Sequence, residues 1–153
     1  MSVDILLVNP LYLSKDPVEQ RLMTPYFPLG LLYLAATLRD AGYGVAIYDG
    51  TFQSDFGDFA KALDECQPAI VGFGVLSTVR SNAMALASVA HARGMTVLMG
   101  GADPTARPAS YLATKHSGGP SIDFVVVGEG EETILELIPA LLKRPARKRC
   151  WTL

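Results

Sequence analysis

The chain has 153 residues, half of them hydrophobic and 18% charged, which suits one α/β domain with a sheet covered on both faces. Its formal net charge is −2, but Lys143, Arg144, Arg147, Lys148 and Arg149 cluster near the C-terminus and leave eight bases against fifteen acids elsewhere, a balance that argues against a nucleic-acid partner. No apolar run reaches about 18 residues, Met1-Ser2-Val3-Asp4 lacks the basic start of a signal peptide, and Cys66 and Cys150 are too few and too far apart for a disulfide framework, a zinc site or an iron–sulfur cluster; a cytoplasmic domain with no membrane partner is expected.

Strand and helix patterns then alternate five times. The first strand is predicted over residues 3–8, followed by a proline-bearing loop over 9–26. The first helix opens near Pro28, a residue suited to a first helical turn. It carries Leu31, Leu34, Ala35 and Leu38 on one stripe and stops at Gly42. Strand two is predicted over 44–48 and helix two over 56–66, with Phe59, Leu63 and Cys66 on one face. Strand three covers 69–75. Helix three covers 79–93, with Ala83, Leu86, Ala87 and Ala90 inward and small enough to pack close to the sheet. Strand four covers 95–99. A loop with Pro104 and Pro108, a short helix near 109–115 and a loop at Ser117-Gly118-Gly119-Pro120 come next. Strand five covers 122–127 and helix five 131–142. Glu131 and Glu132 suit the positive end of that helix, and Pro139 kinks or shortens it.

Five βα units predict a flavodoxin-like, doubly wound α/β fold: a five-stranded parallel sheet in the order 2-1-3-4-5 with right-handed crossovers. The expected organisation is one domain over 1–142 and a solvated basic tail over 143–153. In such a sheet the carboxyl ends of all strands share one edge, and ligands bind there, beside the switch point between strands one and three. That edge should gather four segments: Val8-Asn9-Pro10, Gly72-Phe73-Gly74-Val75-Leu76-Ser77-Thr78, Met99-Gly100-Gly101-Ala102 and Val127-Gly128-Glu129-Gly130-Glu131. Residues without a Cβ let a large ligand approach the backbone closely. The same glycines also serve tight strand-to-helix turns.

Several chemistries are missing. No Gly-x-Gly-x-x-Gly follows strand one and no P-loop is present. A phosphoreceiver domain needs acids after strand one and an aspartate ending strand three; Asn9-Pro10 and Val75-Leu76 stand there instead. No nucleophile–base pair is seen, and His91 and His116 read as solvated or capping residues. Autonomous catalysis is not predicted.

The motifs that are present resemble the cobalamin-binding domain of B12-dependent radical SAM enzymes. The resemblance runs from about Val3 to Leu142. It rests on Ile5-Leu6-Leu7-Val8-Asn9-Pro10, on Pro28-Leu29-Gly30-Leu31-Leu32-Tyr33-Leu34-Ala35-Ala36-Thr37-Leu38-Arg39-Asp40-Ala41-Gly42-Tyr43, and on Tyr48-Asp49, Ile70-Val71-Gly72-Phe73, Gly100-Gly101-Ala102 and Gly128-Glu129-Gly130-Glu131-Glu132-Thr133. It implies a corrinoid lying flat over the sheet edge, above Asn9, Pro10, Leu11 and Tyr12, with its nucleotide tail in a slot beside strands three and four. Gly72, Gly74, Val75 and Leu76 would border that slot, and Gly100, Gly101 and Ala102 would let the tail pass strand four. Ser77 or Thr78 would bond the tail or a corrin amide, and Gly128, Glu129 and Gly130 would border the ring edge. A bulky residue at Gly101 is expected to block binding and spare the fold.

Three departures qualify the likeness. B12 domains of methionine synthase and the mutases carry Asp-x-His-x-x-Gly after strand one, whose histidine ligates cobalt; residues 9–27 here hold no histidine. The resemblance therefore implies base-off cobalamin without a histidine ligand, its lower face meeting Leu11, Tyr12 or Leu13. Those domains also carry Ser-x-Leu after strand three, and Gly74-Val75-Leu76 replaces it. The radical SAM barrel and its three-cysteine loop are absent from the sequence, so a stand-alone module, a fragment or a relic of the fold all fit. The implied function is a cobalamin-binding module that presents a corrinoid to a separate radical SAM protein or domain, for methyl transfer or related radical chemistry. The alternative is a non-catalytic adaptor that has lost the corrinoid. Its crevice would be filled by Tyr12, Tyr26 and Phe27, and its partner surface would use Leu141, Leu142 and Trp151.

Overall fold

Side chains alternate between the two faces of a strand, and the computed structural model shows what each face meets. The structure describes residues 3–15, 21, 25, 27–113, 115–116 and 119–143. The main sheet holds β1 (Ile5–Asn9), β2 (Val45–Asp49), β3 (Ile70–Gly74), β4 (Thr96–Gly100) and β5 (Phe124–Val125). Its order is β2-β1-β3-β4-β5, and each neighbouring pair is parallel. The chain leaves β1 toward β2 and returns past it to β3, so the switch point lies between β1 and β3.

Ile5 and Leu7 of β1 point to one face, with Ile70 of β3 and Leu98 of β4. That face is covered by α1 (Leu29–Asp40), through Leu31, Ala35 and Leu38, and by α6 (Glu131–Leu141), through Ile134 and Ile138. Leu6, Val8, Val71, Phe73, Val97 and Met99 point to the other face. There they meet Phe59 and Leu63 of α2 (Gly57–Cys66) and four residues of α3 (Arg80–His91): Ala83, Leu86, Ala87 and Ala90, all fully buried. Three of those four are alanines, so α3 lies close on the sheet as expected. In the same layer Tyr48, Phe59 and Phe73 make successive edge-on and tilted ring contacts, and Tyr12 meets Phe56 edge-on.

Three features depart from the sequence reading. The segment read as a loop around Pro104 forms a short helix, α4 (Ala102–Ala106), before α5 (Pro108–Leu112). Pro104 is its third residue, where no intrahelical N–H bond is lost, so proline does not forbid the turn. Strand five contracts to Phe124–Val125, although Asp123 and Val126 still donate backbone bonds to Val97 and Met99. Lys115–His116 and Gly119–Pro120 pair as a two-residue antiparallel hairpin outside the main sheet. Tyr26, residues 117–118, Cys150, Trp151 and the basic tail from Arg144 onward lie outside the described residues.

Candidate functional site

The parity of β3 and β4 makes the site. Ile70, Gly72 and Gly74 share a face, and Leu98 and Gly100 share the same one. Gly74 pairs with Gly100 in register, and Gly72 with Leu98. Toward the carboxyl edge, then, the layer between the sheet and the α1–α6 pair lacks side chains at three positions. The result is a narrow slot of about 70 Å³, walled by Leu7, Leu31, Leu34, Leu98, Val126 and Ile134 and floored by Gly72, Gly74 and Gly100. Gly101, Gly128 and Gly130 line its mouth.

The walls are soft where the floor is bare. A Cβ at Gly74 would meet only Leu31 side-chain carbons, at 3.0 to 3.4 Å, and one at Gly130 would meet Leu34 Cδ2 at 3.3 Å. Leu31 and Leu34 also line a second, wider crevice of about 240 Å³ over the sheet edge, bordered by Asn9, Gly74, Val75, Leu76 and Gly101. These two leucines therefore stand at the boundary of slot and crevice. Their role was not singled out in the sequence reading. The signal was there: both lie on the apolar stripe of the first helix, at its N-terminal end, next to the carboxyl edge.

Gly101 is different from its neighbours. Its φ is +102°, and a Cβ would stand 2.8 Å from the Val75 carbonyl oxygen and 2.9 Å from the Val75 nitrogen. Both atoms are backbone and cannot move aside. The expectation that a bulky residue here would spare the fold is therefore corrected: Gly101 holds the β3–β4 junction. Gly100 is the position with room, since a Cβ there meets only ordinary contacts with Val126 at 3.8 Å.

Asn9 ends β1 at the switch point and is buried. Its Nδ2 donates to Asp49 Oδ1 (2.9 Å) and to Thr51 Oγ1 (3.3 Å). Asp49 Oδ1 also accepts from the Thr51 hydroxyl (2.6 Å) and the Thr51 N–H (3.1 Å). A carboxylate only accepts, so it fixes which end of the Asn9 amide carries the hydrogens. Both amide hydrogens are then used within the clip. Oδ1 remains as the acceptor that Asn9 can offer to the crevice it lines.

The remaining candidates divide. Leu76, Ser77 and Thr78 are exposed and line a third cleft, with Ala102 across from them. Glu129 is exposed and borders none of these spaces. Pro10, Leu11 and Tyr12 turn away from the edge into the α2–α3 side. The Pro10 carbonyl accepts from Asn82 Nδ2, Leu11 is 1% exposed, and Tyr12 bonds to Tyr48, hydroxyl to hydroxyl, at 2.9 Å. The apolar run after Asn9 reads as loop in sequence, and only the tertiary fold shows that it is core. His91 closes α3 at the amino edge of the sheet, opposite the crevice. The side chain of His116 lies outside the described residues. Among the described residues no three His, Cys, Asp or Glu groups gather to hold a metal ion, and no helix is long and apolar enough to cross a membrane.

Comparison with known proteins agrees with this geometry. Residues 21–138 match the B12 binding domain family. The chain is 36% identical over 142 residues to an uncharacterized methyltransferase of Pyrococcus horikoshii, an alignment that covers 91% of this chain and 29% of the relative. It is 32% identical over 145 residues to the anaerobic magnesium-protoporphyrin IX monomethyl ester cyclase of Synechocystis, covering 90% of this chain and 27% of that one. The chain thus spans less than a third of the length of these two relatives. A cobalamin-binding protein of Desulfitobacterium hafniense shares the fold, with a TM-score of 0.52 over 86% of this chain and 57% of the other at 13% identity. The matched segment takes in both glycine-lined strands and the two helices that wall the slot, and on that ground the chain belongs to the B12-binding domain family.

Proposed function

We propose that the domain binds cobalamin across the carboxyl edge of its sheet, with the nucleotide tail in the glycine-floored slot, and presents it to a separate radical SAM-type catalytic partner. The observation that carries this reading is the missing side-chain layer at Gly72, Gly74 and Gly100. A sheet that served only its own core would fill that layer with β-branched or leucine side chains. A thin, apolar slot instead suits the flat aromatic base of a nucleotide tail.

The remaining roles follow the wall each residue stands on. Leu31 and Leu34 swing aside to admit the tail and close on it. Asn9, held by Asp49 and Thr51, offers Oδ1 to an amide N–H of the corrin periphery. Gly128 and Gly130 border the ring edge beside the mouth of the slot. The crevice over β1 and β3 is lined mainly by apolar side chains, Leu29, Leu31, Leu34, Val75, Leu76 and Val79, with Asn9 and Glu131 as its polar members and no histidine, which favours cobalamin held base-off and without a histidine ligand. Bound cobalamin supplies the group-transfer or radical chemistry, and this domain holds and orients it. The adaptor reading requires a crevice closed by the chain's own aromatic residues. Tyr12 is in the core and Phe27 is 81% exposed, so neither closes it, and Tyr26 lies outside the described residues.

The slot assignment is tested by comparing cobalamin with cobinamide, which keeps the corrin amides and lacks the nucleotide tail. Isothermal titration should show cobalamin bound at least about tenfold more tightly, the share expected from burying an aromatic base. Equal affinities would place the tail outside the slot.

A further inference from the structure

The third cleft, of about 440 Å³, opens between the loop of Leu76, Ser77 and Thr78 and the end of α4, at Ala106 and Arg107. Behind it sits Asp103, only 4% exposed. Tyr111 donates its hydroxyl to Asp103 Oδ2 at 2.5 Å. Arg107 Nη2 is 3.0 Å from Oδ1, and Arg80 Nη1 is 3.9 Å from Oδ2. Arg80 is further held over the Tyr111 ring, 4.7 Å from its centroid, and donates to Ser110 Oγ at 3.1 Å.

Two guanidinium groups thus share one buried carboxylate, and the cluster carries a surplus positive charge. Asp103 is the one acid among the residues that line the cleft. The arginine that lines it is Arg107, whose side chain is 52% exposed. Burying a carboxylate is costly, and its mere stability value is small or negative against an apolar replacement. What it does secure is the orientation of the arginine fork. With Nη2 tied to Asp103, the Arg107 guanidinium is anchored at a cleft that two exposed hydroxyl-bearing side chains, Ser77 and Thr78, also line. A pre-positioned fork with adjacent hydroxyl donors matches the oxygens of a phosphate or carboxylate and saves the ordering cost of a free surface arginine.

We propose that this cleft is an oxyanion subsite, separate from the glycine-floored slot, in which Arg107 binds phosphate or carboxylate oxygens with help from Ser77 and Thr78. The subsite does not depend on the corrinoid reading, and its test begins without a corrinoid. The arginine Nε–Hε resonances of the protein are followed while sodium phosphate or sodium acetate is added at constant ionic strength. Arg107 should show saturable shifts with an affinity about tenfold above that of the exposed Arg39. Arg107→Gln should abolish the shifts at Ser77 and Thr78, and Arg107→Lys should keep the charge yet lose most of the affinity. Because Arg107 touches a buried acid, Ser77→Ala with Thr78→Val serves as a second variant at exposed positions, and it should weaken phosphate binding severalfold. Equal shifts at Arg107 and Arg39, or binding unaltered in every variant, would overturn the proposal. Cyanocobalamin and dicyanocobinamide then identify the source of the anion. If Arg107→Gln weakens only cobalamin, the ligand is the phosphodiester of its nucleotide tail. If neither corrinoid is affected while phosphate or acetate still binds the unaltered protein, the ligand is an anionic group of another molecule that docks at this edge.

Discussion

Adjacent glycines at the end of β4 have opposite tolerances, and this gives a sharp pair of tests. Gly100→Leu adds a side chain into the slot from a position with ordinary clearance. Its stability in urea should stay within about 1 kcal/mol of the unaltered protein, while cobalamin affinity falls at least about tenfold. Gly101→Ala places a Cβ against the Val75 backbone at φ +102°, and should lose about 1–3 kcal/mol of stability before any ligand is added. The reverse outcome, a destabilised Gly100→Leu with normal binding, would contradict the assignment of the slot. Asn9 depends on the carboxylate beside it. Asp49→Asn supplies a side chain that both donates and accepts, so the Asn9 amide is no longer fixed in one orientation. Cobalamin affinity should drop severalfold with about 1 kcal/mol of stability lost, and unchanged affinity would remove Asn9 from the ligand's surroundings.

Elements explain which parts of the site were legible beforehand. The alternation of apolar runs with amphipathic stretches made the five strands and their helices legible, because each strand end and each helix stripe is local information; their order came from the fold class that five such units imply. Gly72, Gly74 and Gly100 were legible as a group for the same reason: strand parity puts them on one face. The course of Pro10, Leu11 and Tyr12 was not legible, since nothing local tells whether an apolar segment after a strand covers the ligand or joins the core. The Tyr12–Tyr48 hydroxyl pair decides it. That pair, with Tyr111 beside Asp103, leaves a signature at high pH. Burial foremost pushes the Tyr12, Tyr48 and Tyr111 hydroxyls up from 10.0; the bond to Tyr48 adds to it for Tyr12, and the bond to Asp103 for Tyr111. A raised value means that the folded chain keeps protons which the unfolded chain releases above about pH 10. Stability is therefore full below that pH and falls as pH rises through it. Absorbance titration should show these tyrosines ionising late and together with unfolding. Reversible ionisation of every tyrosine near 10 with the fold intact would contradict their burial.

At the scale of the whole molecule, helices close both faces of the sheet, and the chain gathers three spaces along its carboxyl edge. One is a bare apolar slot, one a wider crevice over the switch point, and one a cleft lined by Arg107 beside the buried Asp103. The relatives it matches are more than three times its aligned length. The charge cluster could not be read whole from the sequence, because Arg80 of α3 and Tyr111 of α5 join the local Asp103–Arg107 pair only in the fold. The central claim, that this edge holds a corrinoid, is tested by mixing the protein with hydroxocobalamin, desalting, and measuring corrin absorbance per protein. Near-stoichiometric retention at micromolar protein, lost in Gly100→Leu, is the expected result; no corrinoid retained by the folded protein would contradict it.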